Sequence, residues 1–261
     1  MTLFWHELRR NRLALVIWSI AISFMLGVSV LIYPEMSSQM EDISSMFADM
    51  GSFTAAFGMD KVNFGEFKGY FAIECGNVLG LGGAVFAAIM GASAIACEER
   101  EKTADFLLTH PLSRSKVIWQ KLCALMSEIA VLNIAVTLTA LLASLIIGES
   151  MDTKTFVLVF FGYFLLQVEI GAVCFGISAL GSRGGLGIAL GLTFGLYFAN
   201  IVSNLTQKAE FLKYITPFGY ADGTAIVSSA SLDMGYLSVG LALGASGVAA
   251  AFLIYNKKDI L

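Results

Sequence analysis

Six long apolar runs dominate this chain, and each is long enough to cross a lipid bilayer. They cover about 13–33, 70–97, 122–148, 155–180, 186–204 and 235–255. A helix rises 1.5 Å per residue, so roughly 20 mostly apolar residues traverse the hydrocarbon core. No water is available there, so each run must satisfy its own backbone N–H and C=O groups, which leaves α-helices or a closed barrel. The runs are continuous and do not alternate as barrel strands do. The predicted fold is therefore all-α: a polytopic bundle of six transmembrane helices forming a single transmembrane domain over residues 1–261. Charged residues make up 14% of the chain, against about 25% in soluble domains. That is too few to cover a water-exposed surface.

The start of the chain has the look of a signal peptide, with Arg9, Arg10 and Arg12 ahead of an apolar run. The run Leu13–Tyr33 exceeds the roughly 7–15 residues of a signal h-region, and no small-x-small cleavage site follows it. It reads as a retained span, preceded by a basic segment.

Orientation follows from lysine and arginine placement. With the N-terminus inside, eleven of these residues fall in cytoplasmic segments: Arg9, Arg10, Arg12, Arg100, Lys102, Arg114, Lys116, Lys121, Arg183, Lys257 and Lys258. Five (Lys61, Lys68, Lys154, Lys208 and Lys213) fall outside. The bias places both termini in the cytoplasm. The two outer segments, 34–69 and 205–234, are too long for simple turns. The second is apolar (Phe211, Tyr214, Ile215, Phe218, Tyr220), with Thr216-Pro217-Phe218-Gly219 as a breaker in its middle. A re-entrant helical hairpin before the last span fits it, because irregular backbone at membrane depth is tolerated where protein or water satisfies it.

Chemistry-bearing residues are sparse. Cys75, Cys97, Cys123 and Cys174 match neither a disulfide framework nor a zinc site and read as apolar packing. His6 and His110 lie in polar cytoplasmic segments, so no metal site is expected in the membrane core. Three carboxylates, Glu74, Glu128 and Glu169, fall within or near the apolar runs. Charges at membrane depth are costly and face the bundle interior or water, which makes Glu128 and Glu169 candidates for a transport pathway. Glu169, near the middle of the fourth run, has a structural alternative as a residue hydrogen-bonded to Asn133 or Asn200. Glu128 is placed to snorkel toward Lys121. The glycine-dense second and fifth runs suit close helix packing, including a seam between subunits.

The segment between the second and third runs, about 98–121, carries the most information. Glu98, Glu99 and Glu101 open it, which suits a helix N-terminus. Glu98 stands four residues before Lys102, the favoured order for a helical ion pair. Phe106, Leu107 and Leu108 make an apolar knob, and Pro111 ends the helix. A short helix with charged shoulders and an apolar centre suits docking into a groove on a partner; a solvated helix that only anchors the loop is the competing reading.

This order of residues, Glu98, Glu99, Glu101 and Thr103, then Leu107 and Leu108, then Pro111, Leu112, Ser113 and Arg114, resembles the cytoplasmic loop of ABC exporters of the type-2 permease family. Lys102 stands where that family usually has glycine. The basic N-terminus, the six spans, the Pro217-Phe218 pair and the tail Tyr255–Ile260 extend the resemblance over the whole chain. It implies that Glu98–Thr109 is a coupling helix seated on a separate ABC ATP-binding subunit, with two such subunits per transporter. It also implies that an amphipathic N-terminal helix, Thr2–Arg12, lies along the inner interface and touches that ATPase, and it implies a second permease subunit, in a homodimer or heterodimer, and no enzymatic activity in this chain. ATP and magnesium would be bound by the partner and no cofactor by this chain. Consistent with that, no Gly-x-x-x-x-Gly-Lys-Ser/Thr phosphate loop occurs in the sequence. The expected partners are thus protein and membrane lipid, not nucleic acid, in a bacterial plasma membrane. The expected cargo is a hydrophobic or amphipathic compound such as a peptide. An ion-gradient-driven transporter working through Glu169 is the alternative, though the halves show no convincing internal repeat. An intramembrane enzyme is disfavoured, since neither His-Glu-x-x-His nor Gly-x-Ser-x-Gly occurs.

Overall fold

The computed structural model describes residues 2–37, 51–59, 61–63, 65–97, 113–181 and 185–257. Among these residues the regular elements are all helical. In chain order they are α1 (Thr2–Ser37), α2 (Gly51–Ala56), α3 (Phe67–Cys75), a π-helical turn (Gly76–Leu81), α4 (Gly82–Ala94), α5 (Arg114–Ile147), α6 (Thr153–Ser178), α7 (Gly185–Leu205), a 3-10 helix (Gln207–Tyr214), α8 (Gly223–Ser229) and α9 (Met234–Lys257). Six stretches are long and apolar enough to span a membrane: α1, the unit from α3 to α4, α5, α6, α7 and α9. The all-α, six-span fold expected from the sequence is the observed one. Six crossings return both termini to one side, here called the proximal face; the other is the distal face.

Two boundaries differ from the sequence reading. The basic segment Thr2–Arg12 is not set apart from the first span, because α1 runs unbroken through both and past Pro34 to Ser37. No proline or glycine precedes Gly27 to break it, and Pro34 sits in the last turn, where the bond it removes, to the Val30 carbonyl, lies at the helix end. Likewise α5 begins at Arg114, so residues 114–121, placed by the sequence reading between the second and third runs, are the first part of the third span. Between the third and fourth spans the turn is tight. Gly148 takes φ +74° to end α5, a left-handed position that favours glycine. The Asp152 carboxylate then accepts from the Thr155 amide at 3.2 Å to cap α6.

The α3–α4 unit is the centre of the bundle: 67% of its apolar window is buried, against 17% in α7 and in α9. It packs along α6, which in turn packs on α9, while α1 lies along α5. The outward faces of the peripheral spans carry exposed apolar side chains such as Leu13, Phe24, Ile146 and Leu253, as lipid contact requires. Contact between α4 and α6 is close enough to exclude side chains. A Cβ on Gly91 would lie 2.5 Å from the Gly171 carbonyl oxygen, and one on Gly83 would lie 2.1 Å from the Gln167 amide nitrogen. Small residues let backbones approach in this way, and in lipid that packing is a main source of helix association.

The segment before the last span is a helical hairpin that dips into the bundle. Its turn at 216–219 buries Thr216 and Phe218. The Thr216 hydroxyl donates to the Leu196 carbonyl at 2.9 Å, and the Phe218 ring meets Tyr197 edge-on at 5.3 Å. Leu196 lies nine residues before the end of α7, or about 13 Å below the distal end of that helix. The re-entrant hairpin read from the sequence is thus the observed arrangement.

Gly91→Leu forces α4 away from α6. It is expected to cost about 1–3 kcal/mol and to lower the thermal unfolding midpoint of the purified protein.

Candidate functional site

Polar side chains inside the bundle gather in three places. The first is on the proximal face. Lys121 and Glu7 are 1% and 3% exposed, and the Lys121 ammonium donates to the Glu7 carboxylate at 2.7 Å and to the Ala94 carbonyl at 2.7 Å. Glu7 also pairs with Arg10. One turn on, the Asn11 amide donates to the Glu128 carboxylate at 2.9 Å. This cluster ties the start of α1 to α5 and to the last residue of α4, three residues before the described residues stop at Cys97. Where they resume, Arg114 donates to the Tyr255 and Asn256 carbonyls at 3.2 Å each. A guanidinium there satisfies carbonyls left open at the C-terminus of α9 and complements its dipole. The Trp119 ring packs on Phe252 at 5.6 Å beside it. Both roots of the 98–112 segment are therefore braced.

The second cluster lies at mid-membrane. Asn133 donates to the Gln167 side-chain oxygen at 2.7 Å, and Gln167 donates to the Leu79 carbonyl at 3.4 Å. Leu79 sits in the π-helical turn, a geometry that displaces carbonyls from the regular ladder. On the opposite side of α6, Glu169 accepts from the Tyr220 hydroxyl at 2.8 Å and lies against Gly240 of α9. Burial and the neighbouring Glu169 carboxylate both hold the Tyr220 phenol well above its ordinary range, so Tyr220 acts as the donor.

The third cluster closes the distal face. The Lys61 ammonium reaches the Asp222 carboxylate at 2.8 Å and the Asn204 side-chain oxygen at 3.2 Å. Asp222 also caps α8, accepting from the Thr224 amide at 3.0 Å. Beneath this latch lies a cavity of ≈ 60 Å³ lined by Asn77, Tyr163, Asn200, Asn204 and Asp222 among others.

Of the residues singled out from the sequence, Glu98, Glu99, Glu101, Thr103, Phe106, Leu107, Leu108 and Pro111 lie outside the described residues. Arg114 is described, and it contacts the end of α9. Glu128 and Glu169 are buried but belong to separate clusters. Neither has the expected neighbour. Lys121 and Glu128 share a helix face about 10 Å apart, so Lys121 instead takes Glu7 from α1. Gln167 and Glu169, two residues apart on a helix, point to opposite sides. Asn133 accordingly pairs with Gln167, leaving Glu169 to the hairpin. Of the second-run glycines, Gly76, Gly80, Gly83 and Gly91 face α6 and Gly82 faces Ile22 of α1, whereas Gly187, Gly191 and Gly195 of α7 have open space where a Cβ would stand. Among the described residues no cluster of His, Cys, Asp or Glu could hold a metal ion. Sequence reasoning missed Glu7, Tyr220 and the Lys61–Asp222 pair. Only Lys121, a lysine at the mouth of an apolar run, offered a signal.

Six apolar spans with a re-entrant distal hairpin and buried polar links between them define a polytopic membrane protein. The model of the ABC-2 family transporter protein matches residues 1–260, and the chain belongs to that family. Comparison with curated proteins finds no match.

Lys121→Met removes the ammonium from the buried Glu7 carboxylate, which keeps only Arg10 as a cationic partner, and is expected to cost about 1–3 kcal/mol. Thermal unfolding of Lys121→Met beside the Glu7→Met, Lys121→Met double variant checks this, with the double variant recovering most of the loss.

Proposed function

We propose that this permease is the membrane subunit of an ATP-driven exporter, paired with a second permease subunit and two separate ABC ATP-binding subunits. The single observation that carries the reading is the bracing of both roots of the 98–112 segment, by the Lys121–Glu7–Ala94 contact and by Arg114 on the end of α9. A coupling helix transmits force only if its mounting is stiff. In this reading Glu98–Thr109 seats on the ATPase, with Phe106, Leu107 and Leu108 in its groove and the acidic residues and Thr103 at its start. ATP and magnesium belong to that partner, hydrolysis takes place there, and this chain binds no cofactor of its own. The proximal face is cytoplasmic, as the lysine and arginine bias requires, and the membrane is a bacterial plasma membrane. The open glycine face of α7 is the seam for the second permease subunit, whether identical or not. The cargo is a hydrophobic or amphipathic compound such as a peptide.

The decisive experiment is co-purification of the chain with the candidate ATPase subunits. A stable complex is expected, whose ATP hydrolysis falls at least about tenfold when Phe106, Leu107 and Leu108 are replaced by Asp; one fully desolvated anchor is worth that much. If no ATPase associates, and a proton uncoupler abolishes transport, the gradient-driven reading through Glu169 takes its place. At the seam, Gly191→Leu is expected to shift the purified permease from dimer to monomer in size-exclusion chromatography with light scattering.

A further inference from the structure

The first turns of α1 present two unlike sides. Glu7 and Asn11 point into the bundle, where Glu7 takes Lys121 and Arg10 and Asn11 holds Glu128. Arg9 and Arg12 point the other way and are exposed. Among the described residues neither guanidinium has a hydrogen-bond or ion-pair partner. Glu7 is the one carboxylate in α1 before Glu35, so no acidic side chain of this helix shares their side.

At about 100° per residue, Trp5, Arg9, Arg12 and Val16 fall within an arc of roughly 60°. The same open strip continues along Leu13, Ile20 and Phe24, which are 68%, 64% and 71% exposed. Depth decides what covers it. The apolar run from Leu13 to Tyr33 is about 30 Å long, the thickness of the hydrocarbon core, so lipid tails lie against Val16 and Ile20. Arg12 then stands at the edge of that core, and Arg9 lies about 6 Å beyond Leu13. Both are at the level of the headgroups, which add roughly 5–7 Å on each side.

We propose that Arg9 and Arg12 bind the phosphate of an acidic phospholipid in the proximal leaflet, with an acyl chain of the same lipid along Leu13, Val16 and Ile20. A guanidinium meets phosphate oxygens with two parallel N–H donors. Residues three apart on a helix have Cβ atoms about 5–6 Å from each other, so both forks reach one phosphate. Two cations against one phosphate leave net positive charge. A choline or ethanolamine headgroup would add a third cation there, whereas a glycerol headgroup adds none. Arg10 does not join them, because Glu7 holds it. The site rests on the six spans alone and is independent of any coupling to an ATPase.

The purified chain, stripped of lipid in an uncharged detergent, is titrated with phosphatidylglycerol or phosphatidylcholine, and bound lipid is counted by native mass spectrometry. Phosphatidylglycerol is expected to bind about tenfold more tightly, the worth of one hydrogen bond to a charged group. The Arg9→Gln, Arg12→Gln double variant should lose that preference while keeping the wild-type unfolding midpoint, since both side chains lie outside the packed core. Lys208→Gln, an exposed cation beyond the distal end of α7, should retain it. Glycerol phosphate, the headgroup without chains, should not displace the lipid. Equal affinity for the two lipids, an undiminished preference in the double variant, or displacement by glycerol phosphate would each overturn the proposal. So would displacement of the lipid by a bound ATPase subunit, since the strip would then be that partner's surface.

Discussion

The contact between the second and fourth spans is the one on which the rest of the bundle depends. Helices in lipid gain little from burying apolar surface, since the tails are as apolar as leucine; they associate through close packing and hydrogen bonds. Here the two backbones meet at Gly91 and Gly171 without an intervening side chain, and Gly83 leaves room for the side chain of Gln167. That proximity brings Gln167 within reach of the Leu79 carbonyl and of Asn133, joining three spans at mid-membrane. It also sets the rotation of α6, and hence the side from which Glu169 meets Tyr220 of the re-entrant hairpin. Displacing α6 would disturb both contacts.

The polar groups are economical in kind and uneven in role. On the proximal face a buried ammonium, two carboxylates and an asparagine link α1 to the ends of α4 and α5. Such buried ion pairs are weak evidence of stability, because desolvation consumes much of the attraction. Their clearer effect is registration: the Lys121 ammonium holds the Glu7 carboxylate and the Ala94 carbonyl together, which leaves few alternative positions for α1. Distally, Lys61, Asp222 and Asn204 draw together the residues before α3, the start of α8 and the end of α7. These two polar clusters sit at opposite ends of a largely apolar scaffold.

The number and kind of spans were legible in the sequence because lipid allows so few solutions. A continuous apolar run has little choice but to be a helix. The hairpin was legible for a related reason: aromatic residues around Thr216-Pro217-Phe218-Gly219 do not suit a free loop. Pairings were not legible. Lys121 and Glu7 are separated by 114 positions and Tyr220 and Glu169 by 51, and nothing local to any of them names its partner. Lys121 itself reads as one more basic residue at a membrane edge. Nor does a glycine-rich run disclose which of its faces is filled; the second span's is closed by α6, while that of α7 stays open. The π-helical turn has no local signature beyond glycine, since it answers to Tyr163 and Gln167 across the interface.

The unbroken first helix has a mechanical consequence. At 36 residues it is a rod about 54 Å long, longer than the hydrocarbon layer is thick. One end is gripped at Glu7. Near the other end the Tyr33 hydroxyl holds the Gly65 carbonyl at 2.9 Å, four residues from Lys61. A tilt of about 5° would move one end of such a rod by about 5 Å relative to the other, enough to break a hydrogen bond at the far side. With no interior hinge before Gly27, a displacement at one membrane surface reaches the opposite one as leverage, and no side chain along the way needs to change its rotamer.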